Sequence, residues 1–132
     1  MKYGNYALYQ GREYKAARDQ DTILLYSKDP CDLQHGFFEK RPGVYTKSLS
    51  FQEVETVYAI SYQAVYGGRT FPANETGMGS ILLMHSGFEG LEEALEMGFK
   101  MVEPGVCEKE VQPDEVEQLI EVKRPIWGFT TA

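Results

Sequence analysis

Gly36-Phe37-Phe38-Glu39-Lys40-Arg41-Pro42-Gly43-Val44-Tyr45-Thr46-Lys47-Ser48-Leu49-Ser50-Phe51-Gln52-Glu53-Val54-Glu55 is answered 62 residues later by Gly98-Phe99-Lys100-Met101-Val102-Glu103-Pro104-Gly105-Val106-Cys107-Glu108-Lys109-Glu110-Val111-Gln112-Pro113-Asp114-Glu115-Val116-Glu117. Nine of these 20 aligned positions are identical without a gap. A second motif, aromatic-x-Gly-Arg-x-aromatic, occurs as Tyr9 to Tyr14 and again as Tyr66 to Phe71. Ile23-Leu24-Leu25 likewise returns as Ile81-Leu82-Leu83. Repeated motifs in constant order are the mark of a duplicated unit. Residues 6–63 and 64–125 read as the two copies, which makes residues 1–63 a first β repeat and 64–132 a second. The offset grows from 58 at Ile81 to 62 at Gly98, so the second copy carries a four-residue insertion between them.

The repeat constrains local structure, because both copies must share one fold. Tyr6 to Tyr9 and Arg12 to Ala17 flank a glycine and read as a hairpin. Thr22 to Ser27 is a short apolar run with the length of a buried strand. Pro42-Gly43 is a turn dipeptide, and Val44 to Leu49 alternates as a strand does. Each Glu-Val-Glu reads as a single helical turn leading into a strand, Thr56 to Tyr62 in the first copy. Tyr62 to Gly68 reads as strand running straight through the join. Leu91-Glu92-Glu93-Ala94-Leu95-Glu96, in the insertion near residues 89–97, has apolar residues at helical spacing and predicts one short helix. The expected class is mainly β with minor α: two five-stranded, SH3-like units of about 60 residues packed into one compact body.

Composition agrees with this class. The chain has 132 residues, 42% of them apolar and 25% charged, which suits a folded domain and excludes a disordered one. Its 17 aromatic residues favour pleated sheet. Met1-Lys2-Tyr3-Gly4-Asn5-Tyr6 has no apolar core, so no secretory signal is read there and a cytoplasmic location is expected. Cys31 and Cys107 are too few for a disulfide framework.

Charge is lopsided. Residues 1–65 hold eight basic and eight acidic side chains; residues 66–132 hold five and twelve, which supplies the whole net charge of −7. Such a field repels phosphate backbones and acidic lipid, so neither nucleic acid nor membrane is an expected partner, whereas a basic protein would be attracted.

Chemistry-bearing motifs are scarce. His35 and His85 are 50 residues apart and sit in no metal-ligand spacing, so no metal or cofactor is expected. Cys31 has His35 at i+4 but otherwise lacks the setting of a nucleophile. Cys107 stands where the first copy has Tyr45 and reads as an inward, apolar position. Gly77-Met78-Gly79-Ser80 lacks the lysine of a phosphate loop. His85-Ser86-Gly87 lacks a nucleophile elbow's first glycine. The chain is not expected to be an enzyme. One cluster remains: Glu103, Glu108, Glu110, Asp114, Glu115, Glu117 and Glu121, opposed only by Lys109. On a strand, Glu108 and Glu110 share one face while Cys107, Lys109 and Val111 take the other. Glu103, Glu108, Glu110, Asp114, Glu115 and Glu117 are the candidate partner-binding residues, with Trp127 as an aromatic anchor. The plainer alternative is a charged edge strand that resists aggregation.

Tyr6-Ala7-Leu8-Tyr9-x-Gly11-x-Glu13-Tyr14, Ile23-Leu24-Leu25-Tyr26-Ser27 and Pro42-Gly43-Val44-Tyr45-x-Lys47 resemble phrases of small immunity proteins from bacterial polymorphic toxin systems, including contact-dependent inhibition. The resemblance runs over most of the chain. It implies a monomeric, cytoplasmic inhibitor that binds one cognate toxin domain, a basic nuclease, and occludes its active site with an acidic surface. It carries over no catalytic residue. The alternative is a tandem SH3-like adaptor that binds peptides in a groove of Tyr9, Tyr14, Tyr26 and Tyr45.

Overall fold

The computed structural model describes residues 1–132. The protein is mainly β, with eleven strands, three 3-10 turns and one short helix. The chain divides into two compact units, one made of Lys2–Ile60 and Lys123–Ala132, the other of Ser61–Val122 and Met1. The expected boundary between residues 63 and 64 therefore lies within a strand, and the C-terminal segment groups with the first unit.

The first unit contains β1 (Gly4–Tyr9), β2 (Arg12–Asp19), β3 (Thr22–Ser27), β4 (Phe38–Arg41), β5 (Val44–Ser50) and the first half of β6 (Thr56–Tyr66). Their order is β4-β5-β3-β2-β1-β6, all antiparallel. The second unit uses the rest of β6, then β7 (Arg69–Glu75), β8 (Ile81–Ser86), β9 (Lys100–Glu103), β10 (Val106–Val111) and, as far as Val122, β11 (Gln118–Pro125), whose last residues belong to the first unit. Its order is β9-β10-β8-β7-β6, with β11 on the other side of β6. The same six-segment order thus occurs in both units. Five strands per unit are expected from the sequence; the sixth, β4 or β9, is the short outer arm of the hairpin folded at each Pro-Gly turn. Helix α1 (Leu91–Glu96) forms where apolar spacing places it, but it is not an insertion: it stands where the first unit has the 3-10 turn Pro30–His35, and the extra residues fall in the loop before it.

Alternation builds each core. Ile23 and Leu25 of β3 are buried beside Ala16 of β2 and Leu49 of β5, their cross-strand partners. Ile81 and Leu83 do the same on β8, beside Val111 of β10 and Ala73 of β7. Aromatic pairs anchor both units: Tyr14 and Phe37 have ring centroids 5.0 Å apart, and Phe71 and Phe99 4.8 Å, each tilted by 37°.

The repeated residues have matching local duties. The backbone N–H of Glu55 donates to Leu8 O at 2.9 Å, while its carboxylate accepts from Gly11 N at 3.0 Å. Glu117 bonds Val65 O at 2.7 Å and Gly68 N at 2.9 Å in the same way. The second Glu of each Glu-Val-Glu therefore latches the hairpin turn of its own unit, which ties the two repeated motifs together. The first Glu caps its 3-10 turn: Glu53 accepts from Ser50 N at 3.0 Å and Glu115 from Gln112 N at 2.6 Å.

The recurrent Gly and Lys are also coupled. Lys109 sits on the core side of β10, where Nζ donates to Tyr66 Oη at 2.6 Å and to Met97 O at 2.8 Å, 4.9 Å from the Tyr66 ring centroid. Lys47 lies 5.8 Å from the Tyr9 ring centroid. Each ammonium passes the glycine of its own unit: a Cβ on Gly98 would stand 3.0 Å from Lys109 Nζ, and one on Gly36 would collide with Lys47 Nζ. Both glycines have left-handed φ, +85° and +94°. Gly36→Ala is expected to cost about 1–2 kcal/mol from backbone strain, with displacement of Lys47 in addition. Urea denaturation of the variant checks this.

Candidate partner-binding surface

The division into units sharpens the charge asymmetry. The second unit holds twelve Asp and Glu against three Lys and Arg, a net −9; the first holds ten basic and eight acidic residues, a net +2. The basic Lys123 and Arg124 belong to the first unit, which the halves of the sequence conceal.

A groove of about 550 Å³ opens on the second unit along β9, β10 and the start of β8. Glu108 and Glu110 line it, together with Leu82, Met101, Val102 and two lysines, Lys100 and Lys109, so the acidity belongs to the unit as a whole rather than to the groove alone. Glu108 is opposite Lys100 on β9 and Met84 on β8, and Glu110 is opposite Leu82. Cys107 and Val111 are buried on the other face, as strand alternation dictates. The first unit places Phe38 across from a buried Thr46, whereas the second places Lys100 across from Glu108. The Ser80 hydroxyl donates to the Glu110 carboxylate and steadies it.

The other expected site residues are distributed differently. Glu103 is exposed at the end of β9, and Asp114 is exposed in the 3-10 turn Pro113–Glu115. Glu115 and Glu117 are exposed too, but their carboxylates cap and latch backbone within the unit. Glu121 accepts from the Tyr62 hydroxyl at 3.1 Å. Trp127 lies in the first unit and packs with Ile126 and Phe129 against that unit's core. Its closeness to the acids in sequence does not make it part of their surface. Of the tyrosines proposed for a peptide groove, Tyr9, Tyr14 and Tyr45 are buried in the first core, leaving Tyr26 half-exposed.

One group escapes sequence reasoning. Asp32 of the first unit is only 3% exposed. Its carboxylate accepts from Tyr14 Oη at 2.9 Å, pairs with His35 Nδ1 at 3.0 Å and takes the Ser27 hydroxyl on its other oxygen. Arg12 Nη1 stands 4.0 Å away. Burial alone would raise the Asp32 carboxyl, but the bonds from Ser27, His35 and Tyr14 outweigh it and hold the group below its ordinary range. Serine, histidine and aspartate are adjacent, yet they do not form a nucleophile: Ser27 donates to Asp32 rather than to His35, and its oxygen accepts from Asp29 N at 3.0 Å. Cys31 is not activated either, since its hydrogen bond to Asp29 pushes the thiol pKa up. The network fixes the 3-10 turn Pro30–His35 onto β2 and β3. In the second unit the corresponding positions carry Phe71 and Ala94, and both are buried.

No group of three or more His, Cys, Asp or Glu side chains is placed to hold a metal ion. No helix is long and apolar enough to cross a membrane. A family model described as uncharacterised conserved protein UCP033725 matches residues 1–128. No curated protein and no solved structure matches the chain.

Proposed function

The chain belongs to that family, and we propose that it is a cytoplasmic immunity protein that binds a basic toxin domain and occludes its active site. The observation that carries this reading is the net −9 of the second unit, with Glu108 and Glu110 in an open groove beside exposed apolar side chains. An inhibitor of a cationic nuclease needs fast association, and a concentrated negative field steers it. Carboxylates in the groove would then occupy positions that substrate phosphates otherwise take. Co-expression with the C-terminal domain of a large secreted protein from the adjacent reading frame tests the reading. Rescue of growth is expected; growth arrest unaffected by the chain overturns it.

The surface is tested separately. Glu108→Lys combined with Glu110→Lys is expected to slow toxin association by about tenfold or more at low salt, with the difference shrinking as salt rises. An unchanged association rate moves the contact elsewhere. The peptide-adaptor reading keeps one supporting feature, a shallow trough formed by Phe51, Trp127 and Phe129 on the first unit. Trp127 is the chain's single tryptophan, so its fluorescence during titration with a proline-rich peptide examines that reading directly.

A further inference from the structure

Strand β9 ends the hydrogen-bonded order of the second unit, so one row of its N–H and C=O groups faces no neighbouring strand. Strand β4 holds the corresponding place in the first unit. The two edges are guarded differently. After Phe38, β4 presents Glu39, Lys40 and Arg41, three consecutive charges that deter strand addition. In β9 the charges stand at the ends and the centre is apolar: Met101 is 48% exposed and Val102 52%. Phe88, 78% exposed, lies against Gly105 in the β9–β10 turn and extends this apolar strip. Glu108 and Glu110 line the groove next to the same edge together with Lys100 and Lys109, within a unit of net charge −9.

We propose that β9 receives an extended cationic segment of a partner protein as an added antiparallel strand. Main-chain hydrogen bonds to the edge would hold the segment, its apolar side chains would cover Met101 on the face of Cys107, and its lysines or arginines would pass Val102 to reach Glu108 and Glu110 on the other face. Pairing of β9 with β9 of a second copy is a poorer match, because it would set two units of net charge −9 edge to edge. This inference rests on the reading of the second unit as the binding surface.

The probe is a capped heptapeptide of alternating lysine and valine, followed by backbone amide shifts of the full chain. Saturable shifts centred on residues 100–103 are expected, and an alternating glutamate and valine peptide should produce none. Alternate N–H groups of an added strand face the edge, so N-methylating every valine and N-methylating every lysine should differ: one peptide loses binding and the other keeps it. Val102→Lys should weaken binding of the parent peptide by about tenfold. Equal binding by both methylated peptides, or shifts spread over the acids without β9, overturns the inference. Hydrogen exchange with the toxin domain separates the two proposals. If the toxin is bound and neutralised while the amides of residues 100–103 exchange as in the free chain, the edge inference falls and the function stands. If the peptide adds to β9 but no toxin is bound, the function falls instead.

Discussion

Asp32→Ala is expected to destabilise the first unit by about 3 kcal/mol, because it removes a buried carboxylate that serves one buried donor, Tyr14, and two half-buried ones. Tyr14, Ser27 and His35 all lose their acceptor in that variant. The second unit suggests the remedy. It has Phe71 where the first has Tyr14 and Ala94 where the first has Asp32, and its aromatic pair keeps the same 37° tilt. Adding Tyr14→Phe to Asp32→Ala should therefore recover about 1 kcal/mol of the loss, since removing both partners costs less than removing one. Urea denaturation of the wild type, both single variants and the double variant gives the cycle; strictly additive losses would contradict the account. The pH dependence has a fixed sign. Asp32 is held below its ordinary range in the folded chain, so its contribution is complete above the unfolded value of about 4 and disappears as pH falls through the folded value. The gap between wild type and Asp32→Ala should accordingly narrow in acid.

Phe71→Ala is expected to cost about 4 kcal/mol, within the range for deleting a fully buried aromatic side chain. Phe71 is buried, its ring lies 4.8 Å from that of Phe99, and the Arg69 guanidinium stands 5.1 Å above it. Its cross-strand partner Ala64 and Ala73, two positions along β7, are buried residues too short to refill the space left. Phe88→Ala provides the contrast. Phe88 is largely in solvent, so its truncation should change stability by less than about 0.5 kcal/mol. Equal losses from the two substitutions would show that the second core is not where the packing places it.

Much of the fold is legible in the sequence because the repeated residues act locally. Pro42-Gly43 and Pro104-Gly105 fold hairpins, and a 3-10 turn ends at the first Glu of each Glu-Val-Glu and leads into a strand. Glu55 and Glu117 act at longer range, but the recurrence of their glycine partners exposes the pairing. Strands β4 and β9 are harder to read, since neither alternates and each exists only by pairing across its turn. Asp32 is illegible for a related reason. In Asp29-Pro30-Cys31-Asp32 it looks like any turn acid, and its burial depends on Tyr14 eighteen residues earlier. For the acidic surface, alternation assigns Glu108 and Glu110 to one face correctly. It gives no warning that Glu115 and Glu117 are occupied by backbone N–H groups, or that the chain carries Trp127 back to the first unit.

That return has a consequence for biosynthesis. Ile126, Trp127 and Phe129 cover the core built from Lys2–Ile60, and Ile126 N donates to Val57 O at 3.1 Å. The unit whose translation starts first is therefore the one finished last. At roughly 5–20 residues per second, its nascent core waits several seconds for the covering segment to leave the ribosome, while Ser61–Val122 has already emerged. Chaperone engagement during that interval should centre on the early unit.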